Sequence, residues 1–237
     1  MRLAVTAAVL GLVGAALTVA PAASAATREC NGLQVCVPVA GPWVVVPTGG
    51  ATRATAQFQL NCPRGYIVGG LDAELSVKAI DVSFAGTLGS PVNPGITTSA
   101  TVVFSGTYVG GDARAAASMR PHIGCIPASG GGGRVPTMVN ASVFPPGHPT
   151  TRRTRTVTVL PGSTRVVQAC ASGERLITAS HAIGFFTARP PAAREIAAVR
   201  TRQTVDGGRV TVRTEAGLTI VNERAVLQVG AVCAGGK

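Results

Sequence analysis

Val199-Arg200-Thr201-Arg202-Gln203-Thr204-Val205-Asp206-Gly207-Gly208-Arg209-Val210-Thr211-Val212-Arg213-Thr214 alternates with a period of two on both sides of a turn signal. β-Branched residues carry the alternation, and Asp-Gly is a strong short hairpin signal. A two-residue Asp206-Gly207 loop pairs Val205 with Gly208, Gln203 with Val210, Thr201 with Val212 and Val199 with Thr214. Under that register Val199, Val205, Val210 and Val212 share one face, and Arg200, Arg202, Arg209 and Arg213 share the other. A three-residue loop would put Arg209 and Arg213 beside Val199 and Val205, which the core side of a sheet does not tolerate. The expectation is an arginine ladder on a solvent face, with Arg200 directly opposite Arg213. Like charges facing each other across strands are destabilising, so solvent screens them or an anion sits there. A short helix from Pro190 to Val199 competes with the start of this hairpin.

Outward from the hairpin the chain reads as strand almost throughout. Thr101-Val102-Val103-Phe104 and Val226-Leu227-Gln228-Val229 are short apolar or β-branched runs bounded by glycine. The cysteines organise these runs. Cys62 to Cys125 spans 63 residues, and so does Cys170 to Cys233. The duplicated spacing pairs 62 with 125 and 170 with 233, which leaves Cys30 and Cys36 as a local clip. Val44-Val45-Val46-Pro47-Thr48-Gly49 before the first frame matches Val157-Thr158-Val159-Leu160-Pro161-Gly162 before the second, and glycine stands three residues after Cys62 and Cys170. The resulting expectation is an all-β protein: an internal repeat of two tandem antiparallel sandwich-like units, each stapled by a disulfide. The alternative is one sandwich to which each half gives a sheet.

Met1-Arg2, the uncharged run Leu3–Ala20 and Ala23-Ser24-Ala25 have the pattern of a secretory signal cleaved after Ala25. The expected organisation is a signal at 1–25, an N-terminal β domain at 26–135, a linker at 136–149 rich in Pro and Gly, and a basic β domain at 150–237. No later apolar run reaches the ~20 residues of a membrane helix, and an exported location suits six cysteines held as disulfides. Without Arg2 the chain has 20 basic and 10 acidic residues, 18 of the basic ones arginine. Residues 26–150 carry +2 and residues 151–237 carry +8. Genomic bias can favour arginine over lysine, but it does not explain why only one half is basic.

Cys62-Pro63-Arg64-Gly65-Tyr66-Ile67-Val68-Gly69-Gly70, closed by a distant cysteine, resembles a module of uncharacterised secreted β-rich proteins of GC-rich Gram-positive bacteria. In the second half Cys170-Ala171-Ser172-Gly173 keeps only Cys and Gly of that pattern. The resemblance implies an extracytoplasmic β module and brings no catalytic residue with it.

Chemistry-bearing patterns are few. The histidines are His122, His148 and His181, and no G-x-S-x-G elbow, H-E-x-x-H helix or phosphate-binding glycine loop is present. Gly130–Gly133 lacks the Lys-Ser/Thr of a phosphate loop and reads as linker. His181 could serve a triad with Asp72 or Asp81, but no nucleophile stands out, so a hydrogen-bonded or exposed histidine is the favoured reading. Asp72, Glu74 and Asp81 could form a calcium site or a carboxylate pair, against solvent-facing strand ends. Trp43 reads as core. The expected function is therefore non-catalytic, without metal or cofactor: an exported binding or envelope-associated protein. Arg200, Arg202, Arg209 and Arg213 would contact an anionic cell-wall polymer or polysaccharide, aided by Arg152, Arg153 and Arg155. Nucleic acid is disfavoured because aromatic residues do not interleave the arginines. A hydrolase with an unrecognised site and a carrier of a small apolar ligand are the rival classes. The sequence does not specify oligomeric state.

Overall fold

A computed structural model describes residues 27–49, 54–86, 100–112, 116–128, 150–220 and 223–235. The signal at 1–25, the whole linker at 136–149, the Gly130–Gly133 run and His148 lie outside the described residues. In chain order the elements are β1 (Val37–Ala40), β2 (Trp43–Val45), β3 (Thr55–Asn61), β4 (Tyr66–Leu75), β5 (Ile80–Gly86), β6 (Thr101–Tyr108) and β7 (Ser118–Pro127). Then come β8 (Thr150–Val159), β9 (Gly162–Ala169), β10 (Glu174–Phe185), α1 (Ala193–Ala197), β11 (Val199–Asp206), β12 (Arg209–Ala216), a 3-10 turn (Leu218–Ile220) and β13 (Ala225–Gly235). The protein is nearly all β, and its pairings are antiparallel. The competing helix exists, but it is only α1, and the hairpin begins at Val199.

A seven-stranded sheet runs β1-β7-β2-β10-β13-β8, with β4 on the other side of β7. Two three-stranded sheets, β3-β6-β5 and β11-β12-β9, complete the fold. The first half therefore supplies β4, β7 and the β1/β2 edge to the large sheet, and the second supplies β10, β13 and β8. Strand orders correspond: β3-β6-β5 beside β9-β12-β11, and β4-β7-β2 beside β10-β13-β8. The halves are not separate beads, because β2 pairs with β10 (Val44 with Gly184, Trp43 with Phe185) and carries the large sheet across the boundary.

Alternation along the strands puts the two cores on opposite faces of this sheet. Val44, Met119, Ala182 and Val226 belong to the core under β3-β6-β5, with Phe58 and Phe104. Their neighbours in sequence, Val45, Ile183 and Leu227, belong to the core under β11-β12-β9, with Phe185, Val210 and Val212. Trp43 is buried opposite Phe185 at the junction, the core position expected of it.

The disulfides are Cys30–Cys36, Cys62–Cys125 and Cys170–Cys233, each with Cα atoms 5.7 Å apart. The glycines three residues after Cys62 and Cys170 both take positive φ, +86° at Gly65 and +83° at Gly173. That conformation closes the turn into β4 and β10 and suits a residue without Cβ.

Candidate functional site: an arginine face on the β11-β12-β9 sheet

The hairpin register differs from the sequence expectation by two residues. Asp206 pairs with Arg209, Arg202 with Arg213 and Arg200 with Glu215, so Gly207-Gly208 forms the loop. Gly207 has φ +55°, and Gly208 has no positive φ. Positive φ at the first loop position alone is what a type II′ turn requires, and glycine there satisfies it. Electrostatics favours the same slip. It keeps one like-charge opposition, now Arg202 to Arg213, but adds Asp206–Arg209 and Arg200–Glu215, both of opposite sign. A two-residue slip keeps every side chain on its face, so Arg200, Arg202, Arg209 and Arg213 do share the exposed face, and Val210 and Val212 are fully buried beneath it. Val205 projects at the hairpin tip and is exposed rather than core.

Strand β9 widens the face. It pairs with β12, setting Arg165 against Arg213, Ser163 against Glu215, Val167 against Thr211 and Ala169 against Arg209. Four rows result, one of which is Arg202–Arg213–Arg165, an unbroken line of like charge across three strands. Among the described residues none of Arg165, Arg200, Arg202, Arg209 or Arg213 has a side-chain hydrogen bond or ion pair. An open depression of about 400 Å³ lies between the rows. Thr204 and Thr211 line its floor, Arg165, Arg202 and Arg213 stand on one side, and Asp206 and Arg209 stand on the other. Arg165 escaped the sequence reading. The buried Val166 beside it marks an outward strand position, but the β9–β12 pairing is long-range and leaves no local trace.

The other arginines expected to help sit on β8, in the large sheet. Arg152 is half-buried and donates to Gln57 Oε1 and Ser180 Oγ, at 3.0 and 3.2 Å; burial holds its pKa below the usual guanidinium value. Arg153 binds Glu174 with two donors, at 3.1 and 2.7 Å. That pair, with a backbone hydrogen bond from Ala171, holds the Glu174 carboxyl below its ordinary range. Arg155 is exposed.

The remaining candidates separate. His181 has Gln203 Oε1 at 2.9 Å from Nδ1 and Thr201 Oγ1 at 2.9 Å from Nε2, so both ring nitrogens are engaged and neither faces an acid. The depression beside it, partly walled by Ala56, Ile183 and Ile196, is about 110 Å³, small for a drug-sized ligand. Asp81 lies on β5, in a different sheet from Asp72 and Glu74 on β4. Asp72 accepts from the Arg28 and Ala73 amides. Glu74 Oε1 is 2.9 Å from Nε2 of buried His122, which stands off hydrogen-bond alignment, and Arg120 is 4.0 Å away. On the other side of His122, Glu29 Oε1 is 3.9 Å from Nδ1, with Glu29 only 4% exposed. Glu29 and His122 are 93 positions apart, and nothing in the sequence pointed to their meeting. Among the described residues, the grouping that best approaches metal-ligand geometry is Cys170, Glu174 and Cys233, whose sulfurs are consumed by the disulfide.

No helix among the described residues is long and apolar enough to cross a membrane. Compared with family models, curated proteins and solved structures, the chain matches none of them, so the arginine face stands on its own geometry.

Proposed function

We propose that this chain is a non-catalytic exported binding protein that contacts anionic polymers of the cell envelope through the outer face of β11-β12-β9. One observation carries the reading: five exposed guanidiniums without partners share a single sheet face, and three form a continuous row. A guanidinium left unpaired beside two others gains most from an oxyanion, which it meets bidentately. The +8 of residues 151–237 adds long-range attraction that needs no specificity. Three disulfides suit an oxidising compartment.

The test is retention of the full mature chain on an anionic polysaccharide column as salt rises. Converting Arg202 and Arg213 to Ser should lower the eluting salt more than converting the exposed, scattered Arg175 and Arg189. Equal shifts would reduce the face to net charge. Arginine on β11, an edge strand, would then serve to keep that edge from pairing with other chains.

A further inference from the structure

The depression has an acid in it. Asp206 stands on the wall facing Arg165, Arg202 and Arg213, and its carboxylate has no hydrogen bond or ion pair among the described residues, although Arg209 is its cross-strand partner. Its placement opposite Arg209 favours the hairpin register, but a surface built only to attract negative charge gains no affinity from a carboxylate, which repels every anion. A carboxylate accepts hydrogen bonds and donates none, so it suits a ligand whose anion lies next to a hydroxyl. The floor supplies two further hydroxyl groups: Thr211, able to donate and accept, and Thr204, which donates to the Thr211 carbonyl at 3.5 Å and keeps its lone pairs to accept. The arginine wall spans two strand spacings, about 10 Å, and the depression of about 400 Å³ has room for one or two sugar rings.

We infer that the trough is a subsite for an acidic sugar unit of a polysaccharide: its carboxylate lies on Arg202 and Arg213, and a neighbouring hydroxyl donates to Asp206. The inference rests on the polyanion reading above and gives it a ligand class. Recognition is polar throughout, with no aromatic platform in the trough, so binding weakens steeply with salt while remaining selective for hydroxyl-bearing anions. Densely charged chains without hydroxyls meet the same arginines but are repelled by Asp206.

The experiment compares oligogalacturonate with inorganic polyphosphate of matched charge on the full mature chain, by titration calorimetry at fixed salt. Asp206→Ala should weaken oligogalacturonate binding about tenfold, the scale of a lost hydrogen bond to a charged group, and strengthen polyphosphate binding. Glu215→Ala removes the same charge from the same face outside the trough, and should strengthen both. Thr211→Val, which leaves the hairpin loop untouched, should weaken oligogalacturonate alone. If Asp206→Ala strengthens both probes, the sugar-unit inference falls while the polyanion reading stands. If wild type does not bind oligogalacturonate, the inference falls as well. If Arg202→Ser with Arg213→Ser leaves both probes unchanged, the underlying reading falls too.

Discussion

Two charged surfaces of this molecule, the outer face of β4–β7 and the outer face of β11-β12-β9, are finished in opposite ways. On the first, residues 27–36 lie over the sheet and bring Glu29 to His122, with Glu74 on the ring's other side and Asp72 holding the Arg28 amide. Gly70 and Gly124 make that approach possible. A Cβ on either would run into the Glu29 carbonyl, and on Gly124 into Cys36 Sγ as well. On the second surface nothing among the described residues covers the strands, and five guanidiniums have no partner. The two faces belong to strands that do not correspond, since the counterpart of β4–β7 is β10–β13 and that of β11-β12-β9 is β5-β6-β3. Where the groups are buried, two carboxylates close on one histidine, at 2.9 and 3.9 Å. Where five guanidiniums stand without partners, the face is exposed, and that is the surface proposed above to take a ligand.

The largest effects come from the staples. Replacing Cys62 and Cys125 by Ser, or Cys170 and Cys233 by Ser, should each cost about 4 kcal/mol, because the closed loops are equally long. Denaturant unfolding of the oxidised proteins measures this. Only the first pair should also expose residues 27–36 to protease, since Cys125 adjoins Gly124 beneath that segment. Equal protection in both variants would mean that the closed face holds without its staple.

Gly124→Val should come next. The new side chain meets Glu29 and Cys36, and overpacking of this kind costs about 2 kcal/mol. Thr211→Val, on the open face, should stay within about 0.5 kcal/mol. Thermal unfolding compares the two, and a Gly124 variant as stable as wild type would show that residues 27–36 are not a fixed part of the fold.

Parity was legible in the sequence and register was not. A strand alternates with period two, so the arginines of 200–213 fell on one face whichever two-residue loop closed the hairpin. Asp206-Gly207 and Gly207-Gly208 are both acceptable loops, and the choice depends on which charges then face each other. The disulfides were legible because the 63-residue spacing occurs twice. Arg165 and the Glu29–His122 contact were not, because both depend on pairings between distant segments. The β2–β10 junction is likewise silent: two residue pairs carry the large sheet from one half to the other, and no local pattern distinguishes a short strand with one neighbour from one with two.

The smallest stability effect separates function from fold most sharply. Arg213 is the middle of the row, directly opposite Arg202 on one side and Arg165 on the other. Arg213→Thr removes both like-charge contacts and installs a residue well suited to a strand, so the variant should be more stable than wild type by about 0.5 kcal/mol. That gain should shrink as salt screens the exposed charges, while retention on an anionic polysaccharide falls. A face kept only for solubility has no reason to hold a destabilising charge at its centre, since Arg200 and Arg209, each opposite an acid, would serve as well. If Arg213→Thr is less stable than wild type at low salt, the row is not strained and the uncompensated charge loses its significance. If it is more stable and binds less, the centre of the face costs stability to hold a ligand.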